Sequence, residues 1–216
     1  VLVSNTIIKS DHFPGCQRVG MELNVPGAPN FRKTSVWNLY GTAIPTKRGI
    51  ANVLKYISAN KANKIVWINL REEPVIYVNG KPFVVRSLAN PYANLEHTGI
   101  STQRVEAMEQ RLKDDLNTEA KKYDDTIMLH DENDQFELLV EWEEVTPGSL
   151  LTPKDIYNEF AKQGLPVSYY RIAITDEHAP KVADFDRLVE ILQQSFNTLV
   201  LAPDMHVIYN CQMGRG

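Results

Sequence analysis

The sequence has 216 residues, 43% of them hydrophobic, with 23 basic and 27 acidic side chains and a formal net charge of -4. A chain of this length can bury one large core or at most two modest ones. Because the charges are interspersed and nearly balanced, they exclude a long-range field that would draw the whole protein to nucleic acid or anionic lipid. Any affinity for phosphate must therefore come from a local cluster.

Cysteine usage and hydropathy indicate the compartment. Cys16 and Cys211 could form at most one bridge, which a chain of this length does not need for stability. A reducing compartment is therefore expected, and we predict a cytoplasmic location. No apolar run approaches about 18 residues and no leader pattern is visible, so neither a transmembrane segment nor a signal peptide is predicted. The chain begins at Val1 and ends inside a motif, which suggests a piece of a longer polypeptide.

The first third of the chain predicts short strands, one helix and one buried strand. Proline and glycine interrupt residues 1–33, which favours loops and brief strands lying over a core made elsewhere. Residues 38–45 are typical of a short strand and turn, and Thr46 is a good cap for a helix through about Ala59. The apolar run at 65–70 predicts a central strand covered on both sides.

The rest of the chain continues the alternation of strands and helices. Asn79-Gly80 is a strong hairpin signal because both residues tolerate positive φ. Thr152-Pro153 is a good N-cap and first-turn pair, and Gly164 is a good C-cap. The remaining predicted elements are a hairpin of strands 75–78 and 82–85, a helix from 101 to about 123, a second hairpin of strands 126–130 and 136–145, a helix over 153–163, a strand over 167–174, a helix over 182–196 and a strand over 206–210.

This order of elements predicts an α/β fold. Helices that alternate with buried strands imply a mostly parallel central sheet covered by helices on both faces, with the β-hairpins as appendages. No repeat or linker divides the sequence, so we expect residues 1–216 to form a single domain.

Three polar clusters follow predicted strands, where ligands bind in α/β sheets. They are Arg71-Glu72-Glu73, Thr175-Asp176-Glu177-His178 and the segment that starts at Cys211. The third cluster pairs a thiol with a glycine-containing loop, 212–216, whose backbone amides could bind an anion and favour the thiolate. Asp176 is a candidate acid for protonating a departing alcohol.

Each of these residues also has a plainer interpretation. Cys211 could be a small buried hydrophobe, Asp176 a turn or cap residue, and Arg71 a partner of Glu72 or Glu73. His178 next to two carboxylates suggests a metal cluster, but its spacing does not fit a tetrahedral zinc site. We therefore predict no metal and no cofactor.

The segment Asn210-Cys-Gln-Met-Gly-Arg-Gly216 resembles the first part of the phosphate loop of cysteine-dependent phosphatases, whose signature is a cysteine, any five residues and an arginine. The chain is most similar to the paladin-type family, related to the tyrosine-phosphatase-like inositol phosphatases (phytases). Other matching stretches are Lys9-Ser-Asp-His-Phe-Pro-Gly-Cys16, Gly27-Ala-Pro-Asn-Phe-Arg32, Tyr40-Gly-Thr-Ala-Ile-Pro45, Val66-Trp-Ile-Asn-Leu-Arg-Glu-Glu-Pro74, Asn79-Gly-Lys-Pro-Phe83 and Ile174-Thr-Asp-Glu-His-Ala-Pro-Lys181.

The resemblance implies a tyrosine-phosphatase-like fold and assigns roles. It makes Cys211 the nucleophile that forms a phosphocysteine and Asp176 the general acid. The amides of Gln212, Met213, Gly214, Arg215 and Gly216 would bind phosphate. Arg215 is not the signature arginine, which would follow Gly216, so we expect these 216 residues alone to be inactive or nearly so. Many tyrosine phosphatases have a histidine at the position of Asn210.

The resemblance also implies a substrate class. We expect a phosphorylated small molecule such as an inositol phosphate, a phosphoinositide head group or a phosphoprotein, and further phosphatase-like units in the parent chain. Candidates to hold additional phosphates are Arg32, Lys47, Arg48, Arg71 and Lys181. Two alternatives stay open: a pseudophosphatase that binds phosphorylated ligands or acts as a scaffold, and a loop that persists only as a packed turn.

Overall fold

Four helices and eleven strands arranged in two sheets form the part of the protein that the computed structural model describes, residues 3–12, 23–59, 64–198 and 204–214. The strands are β1 (Thr6–Ser10), β2 (Arg32–Lys33), β3 (Leu39–Thr42), β4 (Lys64–Arg71), β5 (Val75–Val78), β6 (Lys81–Ser87), β7 (Thr126–Glu132), β8 (Leu138–Glu144), β9 (Leu150–Leu151), β10 (Val167–Ile174) and β11 (Met205–Asn210). The helices are α1 (Lys47–Ser58), α2 (Thr102–Ala120), α3 (Pro153–Lys162) and α4 (Val182–Phe196).

The first sheet has the strand order β10-β4-β11-β3-β2, and every pairing except that of β2 with β3 is parallel. Its register determines where the site lies. Asn210, the last residue of β11, is level with Asn69 of β4 and Thr42 of β3, and Ile174 of β10 is level with Arg71. The segments that follow these strands therefore emerge at one edge of the sheet, as the positions of the three polar clusters predict.

The central strand β4 is covered on both faces, as its apolar run predicts. Because side chains alternate along a strand, Ile65 and Trp67 pack into a cluster that includes α1 and α3 residues. Val66 and Ile68 face the other way and pack against Ile191 of α4. The predicted α/β fold is confirmed, with helices on the two faces of this sheet.

The second sheet has the order β8-β7-β1-β6-β5-β9 and is antiparallel except where β1 pairs with β7. The two predicted hairpins are present as β5-β6 and β7-β8, and the first turns at Asn79 with φ 49° and Gly80 with φ 81°. The hairpins are not separate appendages of the core, because β6 of the first and β7 of the second both pair with β1. The sequence predicts that residues 1–33 lie over a core made elsewhere, but β1 pairs with β6 and β7 inside the sheet, and its Ile7 and Ile8 are buried.

Local capping signals position the helices as predicted. The Thr46 side chain accepts from the Gly49 amide at 3.0 Å, and Thr152 forms a reciprocal capping box with Asp155 at the start of α3. Helix α2 ends at Ala120, a few residues earlier than its sequence pattern predicts. None of the helices in the described ranges is long and apolar enough to cross a membrane.

Candidate active site

Cys211 lies directly after β11 and is half-buried. The backbone turns sharply at Gly214, with φ 69°, and the Gly214 amide donates a hydrogen bond to Cys211 Sγ at 3.1 Å. An amide proton aimed at the sulfur stabilises negative charge there. The described part of the loop therefore has the shape of an anion cradle around a thiol, while Arg215 and Gly216, like Cys16, lie outside the described residues.

A buried carboxylate that the sequence prediction missed lies beneath this loop. Asp11 is 1% exposed, and its Oδ1 accepts from the Gln212 side-chain amide at 2.8 Å. The same oxygen accepts from Arg71 at 3.3 Å and from Arg86 at 3.4 Å. Arg71 also pairs with Glu73, with 2.8 Å between Nε and Oε2, as one of the plainer interpretations expected. We call Asp11, Arg71, Glu73, Arg86 and Gln212 the buried charge cluster.

The electrostatics of Arg71 connect this cluster to the thiol. Burial lowers the pKa of Arg71, but neighbouring negative charges outweigh that effect and raise it. Those charges belong to Asp11, Glu73, Asp176 and Cys211. The two predicted catalytic residues are therefore both within electrostatic reach of one buried guanidinium.

Asp176 sits in the exposed loop after β10, and a side-chain bridge joins it to the cysteine loop. Asn94 Nδ2 donates to Asp176 Oδ2 at 3.0 Å and to Gln212 Oε1 at 2.9 Å. Asn94 was not among the sequence candidates, because no motif connects it with either loop. The Asn94 side-chain amide thus links Asp176 to Gln212, the residue that follows Cys211.

The base of the Asp176 loop is held from the interior. Glu72 is 1% exposed, and its two oxygens accept from the Thr175 hydroxyl at 2.8 Å and the His97 amide at 3.2 Å. Each oxygen of the carboxylate thus accepts a hydrogen bond, and the two donors lie on different loops. Glu72 therefore fixes the residue immediately before Asp176.

The other candidate substrate residues do not converge on the loop in the same way. Arg32 reaches it but donates from Nη1 to the backbone carbonyl of Gly214. Lys181 is exposed at the start of α4 and lines a cavity of about 240 Å³ together with Thr175. Lys47 and Arg48 line a separate cleft of about 820 Å³, which includes no residue of the 211–214 segment. The positive charge of these residues, which is all that the sequence shows, does not indicate which of the three locations each side chain occupies.

Asn210, at the position of the usual histidine, has its side chain turned into the core. Its Oδ1 accepts from Trp67 Nε1 at 2.9 Å, and its Nδ2 donates to Asn69 Oδ1 at 3.2 Å. The side chain ties β11 to β4 below the cysteine. Within the described ranges, no group of three or more His, Cys, Asp and Glu side chains could hold a metal ion.

Comparisons with known proteins show which family this chain is similar to. The family model for PTP-like phytase, described by the words inositol hexakisphosphate, matches residues 68–216. Paladin from Gallus gallus is 31% identical over 192 residues, covering 87% of this chain and 20% of the relative. The chain thus spans about a fifth of the length of the curated relatives it matches.

Two solved structures share the fold. The tandemly repeated protein tyrosine phosphatase-like phytase from Mitsuokella multacida aligns with a TM-score of 0.67 at 17% identity, covering 100% of this chain and 35% of that one. A PTP-like myo-inositol phosphatase from the same organism, in complex with myo-inositol-(1,3,4,5)-tetrakisphosphate, aligns with a TM-score of 0.64 at 16% identity over 96% of this chain and 34% of the other.

Proposed function

This chain belongs to the PTP-like phytase family, and from that premise we propose that it forms one unit of a cysteine-dependent phosphomonoesterase. The observation that carries the proposal is the Gly214 amide directed at Cys211 Sγ. A loop that wraps its amides around a thiol offers a nucleophile and oxyanion donors in one place. In this proposal, residues 1–216 act as one phosphatase-like unit, and the parent protein contains others.

The proposed reaction has two steps. The Cys211 thiolate attacks phosphorus, the ester P–O bond breaks, and the departing alkoxide takes a proton from Asp176. Water then attacks the phosphocysteine, giving its proton to the Asp176 carboxylate, and inorganic phosphate leaves with regeneration of the thiolate. Amides of 212–216 and an arginine immediately after Gly216, supplied by the full-length protein, would hold the equatorial oxygens.

The proposed substrate is an inositol phosphate or another compact polyanion. Arg71 is a permanent cation beside Cys211, and its Nη1 has no hydrogen-bond partner among the residues that the structure describes. That nitrogen is buried, so in this proposal it donates to a phosphate oxygen only when the bound ligand displaces the groups that cover it. The Mitsuokella multacida neighbour solved with an inositol tetrakisphosphate supports the same ligand class. Lys181 is the remaining candidate near the Asp176 loop.

The test uses the full-length protein and a rapid-quench measurement of phosphoenzyme. We expect a burst of phosphocysteine that disappears in Cys211→Ser together with phosphate release. Asp176→Asn should lower kcat on an alkyl phosphate by about 10²–10⁴-fold, with a smaller loss on p-nitrophenyl phosphate, whose leaving group needs little protonation. Glu177→Gln removes a neighbouring carboxylate as the matched control. Unchanged phosphate release in Cys211→Ser would end the proposal.

A second candidate function is a pseudophosphatase unit that binds phosphorylated ligands without turnover. The observation that favours it is Asn210, whose side chain is committed to Trp67 and Asn69 rather than to the cysteine. In that case phosphate would protect Cys211 from alkylation with no burst, and Asp176→Asn would leave ligand affinity unchanged. An uncharged residue after Gly216 in the full-length protein would point the same way.

A further inference from the structure

Three consecutive backbone carbonyls of the cysteine loop, those of residues 212–214, accept hydrogen bonds from outside the loop. The Gln212 carbonyl accepts from the Ile44 amide at 3.0 Å, and the Met213 carbonyl accepts from Asn30 Nδ2 at 2.7 Å. The Gly214 carbonyl accepts from Arg32 Nη1. Three consecutive peptide oxygens are thus held by donors that belong to residues 30–44.

This arrangement decides where the amides point. In a planar trans peptide the C=O and the following N–H point in opposite directions. Holding the Gln212 and Met213 carbonyls outward therefore turns the amides of Met213 and Gly214 inward. The Gly214 amide, which donates to Cys211 Sγ at 3.1 Å, has this orientation.

The two side-chain donors are themselves held in place. Asn30 is 7% exposed and adopts φ 55°, a left-handed conformation that asparagine tolerates better than most residues. Arg32 Nη1 also donates to the Asn30 carbonyl at 3.3 Å. The guanidinium lies over Gly41, where a Cβ would come within 3.0 Å of Arg32 Cζ. The glycine at 41 therefore leaves the space that the guanidinium fills.

We propose that Asn30 and Arg32 are positioning residues that hold the loop carbonyls outward so that its amides face the bound phosphate. This inference rests on the proposed function and reassigns Arg32, which the sequence suggested as a substrate ligand. A positioning residue and a substrate ligand differ in which substitution they tolerate. Lysine keeps the charge a ligand role needs, but it cannot reproduce the planar donor that contacts two carbonyls.

The first test measures how well inorganic phosphate or orthovanadate protects Cys211 from alkylation by iodoacetamide in the full-length protein. Asn30→Gly keeps the left-handed backbone accessible and removes the side chain that donates to the Met213 carbonyl. We expect it to need about tenfold more anion for the same protection, the effect of losing one buried hydrogen bond. The control is Asn197→Gly, because Asn197 has φ 56° at the exposed end of α4.

The second test separates positioning from substrate binding by Arg32. Arg32→Lys should lower kcat for p-nitrophenyl phosphate and for an inositol polyphosphate by the same factor. An unchanged kcat for p-nitrophenyl phosphate, with any effect confined to the polyphosphate, would instead make Arg32 a substrate ligand and overturn its assignment. Equal anion protection in wild type and Asn30→Gly would overturn the inference and leave the proposed function standing. Absence of protection in the wild type would overturn both.

Discussion

Asp11→Asn is the substitution that tests the buried charge cluster most directly. The carboxylate is 1% exposed, and its Oδ1 accepts from the Gln212 amide and from the guanidiniums of Arg71 and Arg86. Asparagine keeps the shape of the side chain but removes its negative charge. Two guanidiniums, 3% and 1% exposed, then lose a shared counter-charge.

The loss in free energy of unfolding expected for Asp11→Asn depends on which negative charges remain beside the two guanidiniums. Removing one partner of a buried ion pair destabilises a protein by about 3–5 kcal/mol. Glu73 remains 2.8 Å from Arg71, so that guanidinium keeps a counter-charge. Burial lowers the pKa of Arg86, and Asp11 is the strongest of the charges that oppose that effect, so losing Asp11 weakens the stabilisation of this guanidinium as well. We therefore expect about 3 kcal/mol, the low end of the range, which for a domain of this size lowers Tm by about 6–12 °C.

Urea and thermal unfolding of wild type and Asp11→Asn measure this cost. The matched control is Asp114→Asn, because Asp114 is exposed on α2 and its carboxylate accepts a hydrogen bond from the Gln110 side-chain amide one turn away. That substitution should change the free energy of unfolding by no more than about 0.5 kcal/mol. A cost for Asp11→Asn below about 1 kcal/mol would refute the view that this carboxylate compensates buried cations.

Two further predictions concern loop geometry and pH. Gly214→Ala should destabilise the protein more than Gly148→Ala. Both glycines have positive φ, but only at Gly214 would a Cβ lie 2.4 Å from the Ala43 amide nitrogen. Equal losses of Tm would show that the loop can move aside. The free energy of unfolding should fall as pH drops below about 6.5, because burial lowers the pKa of His206 and the unfolded chain then takes up the proton first. His206→Gln should reduce this slope in urea titrations, and an unchanged slope would contradict the prediction.

Sequence patterns predicted the individual elements because their signals are local. Thr46 caps α1 through a contact three residues away, and Asn79-Gly80 closes its hairpin within two residues. Local signals do not predict that both hairpins pair with β1. Pairing across a sheet depends on which surfaces meet in the folded chain, and the short apolar run at Ile7-Ile8 gives no indication of its partner.

Separation along the chain also determines which candidate site residues a sequence pattern can predict. Cys211 was recognisable because a strand, a thiol and glycines are adjacent in the chain. Asp11 lies 60 residues from Arg71 and 201 residues from Gln212, so only the folded sheet edge brings the three together. Lys47 and Arg48 line a cleft apart from residues 211–214, and a basic pair in a sequence does not reveal the direction in which its side chains extend.

The two candidate functions place different demands on the Asp176 loop. A unit that only binds phosphate needs inward amides and a cation, which 212–214 and Arg71 could supply without Asp176. In this chain a fully buried carboxylate, Glu72, is used to fix Thr175 at the base of the loop, while Asp176 itself remains exposed at its tip. A fixed base with an accessible acid is what proton delivery to a leaving group requires. This division supports the hydrolase over the binder and makes Asp176→Asn the substitution that separates them.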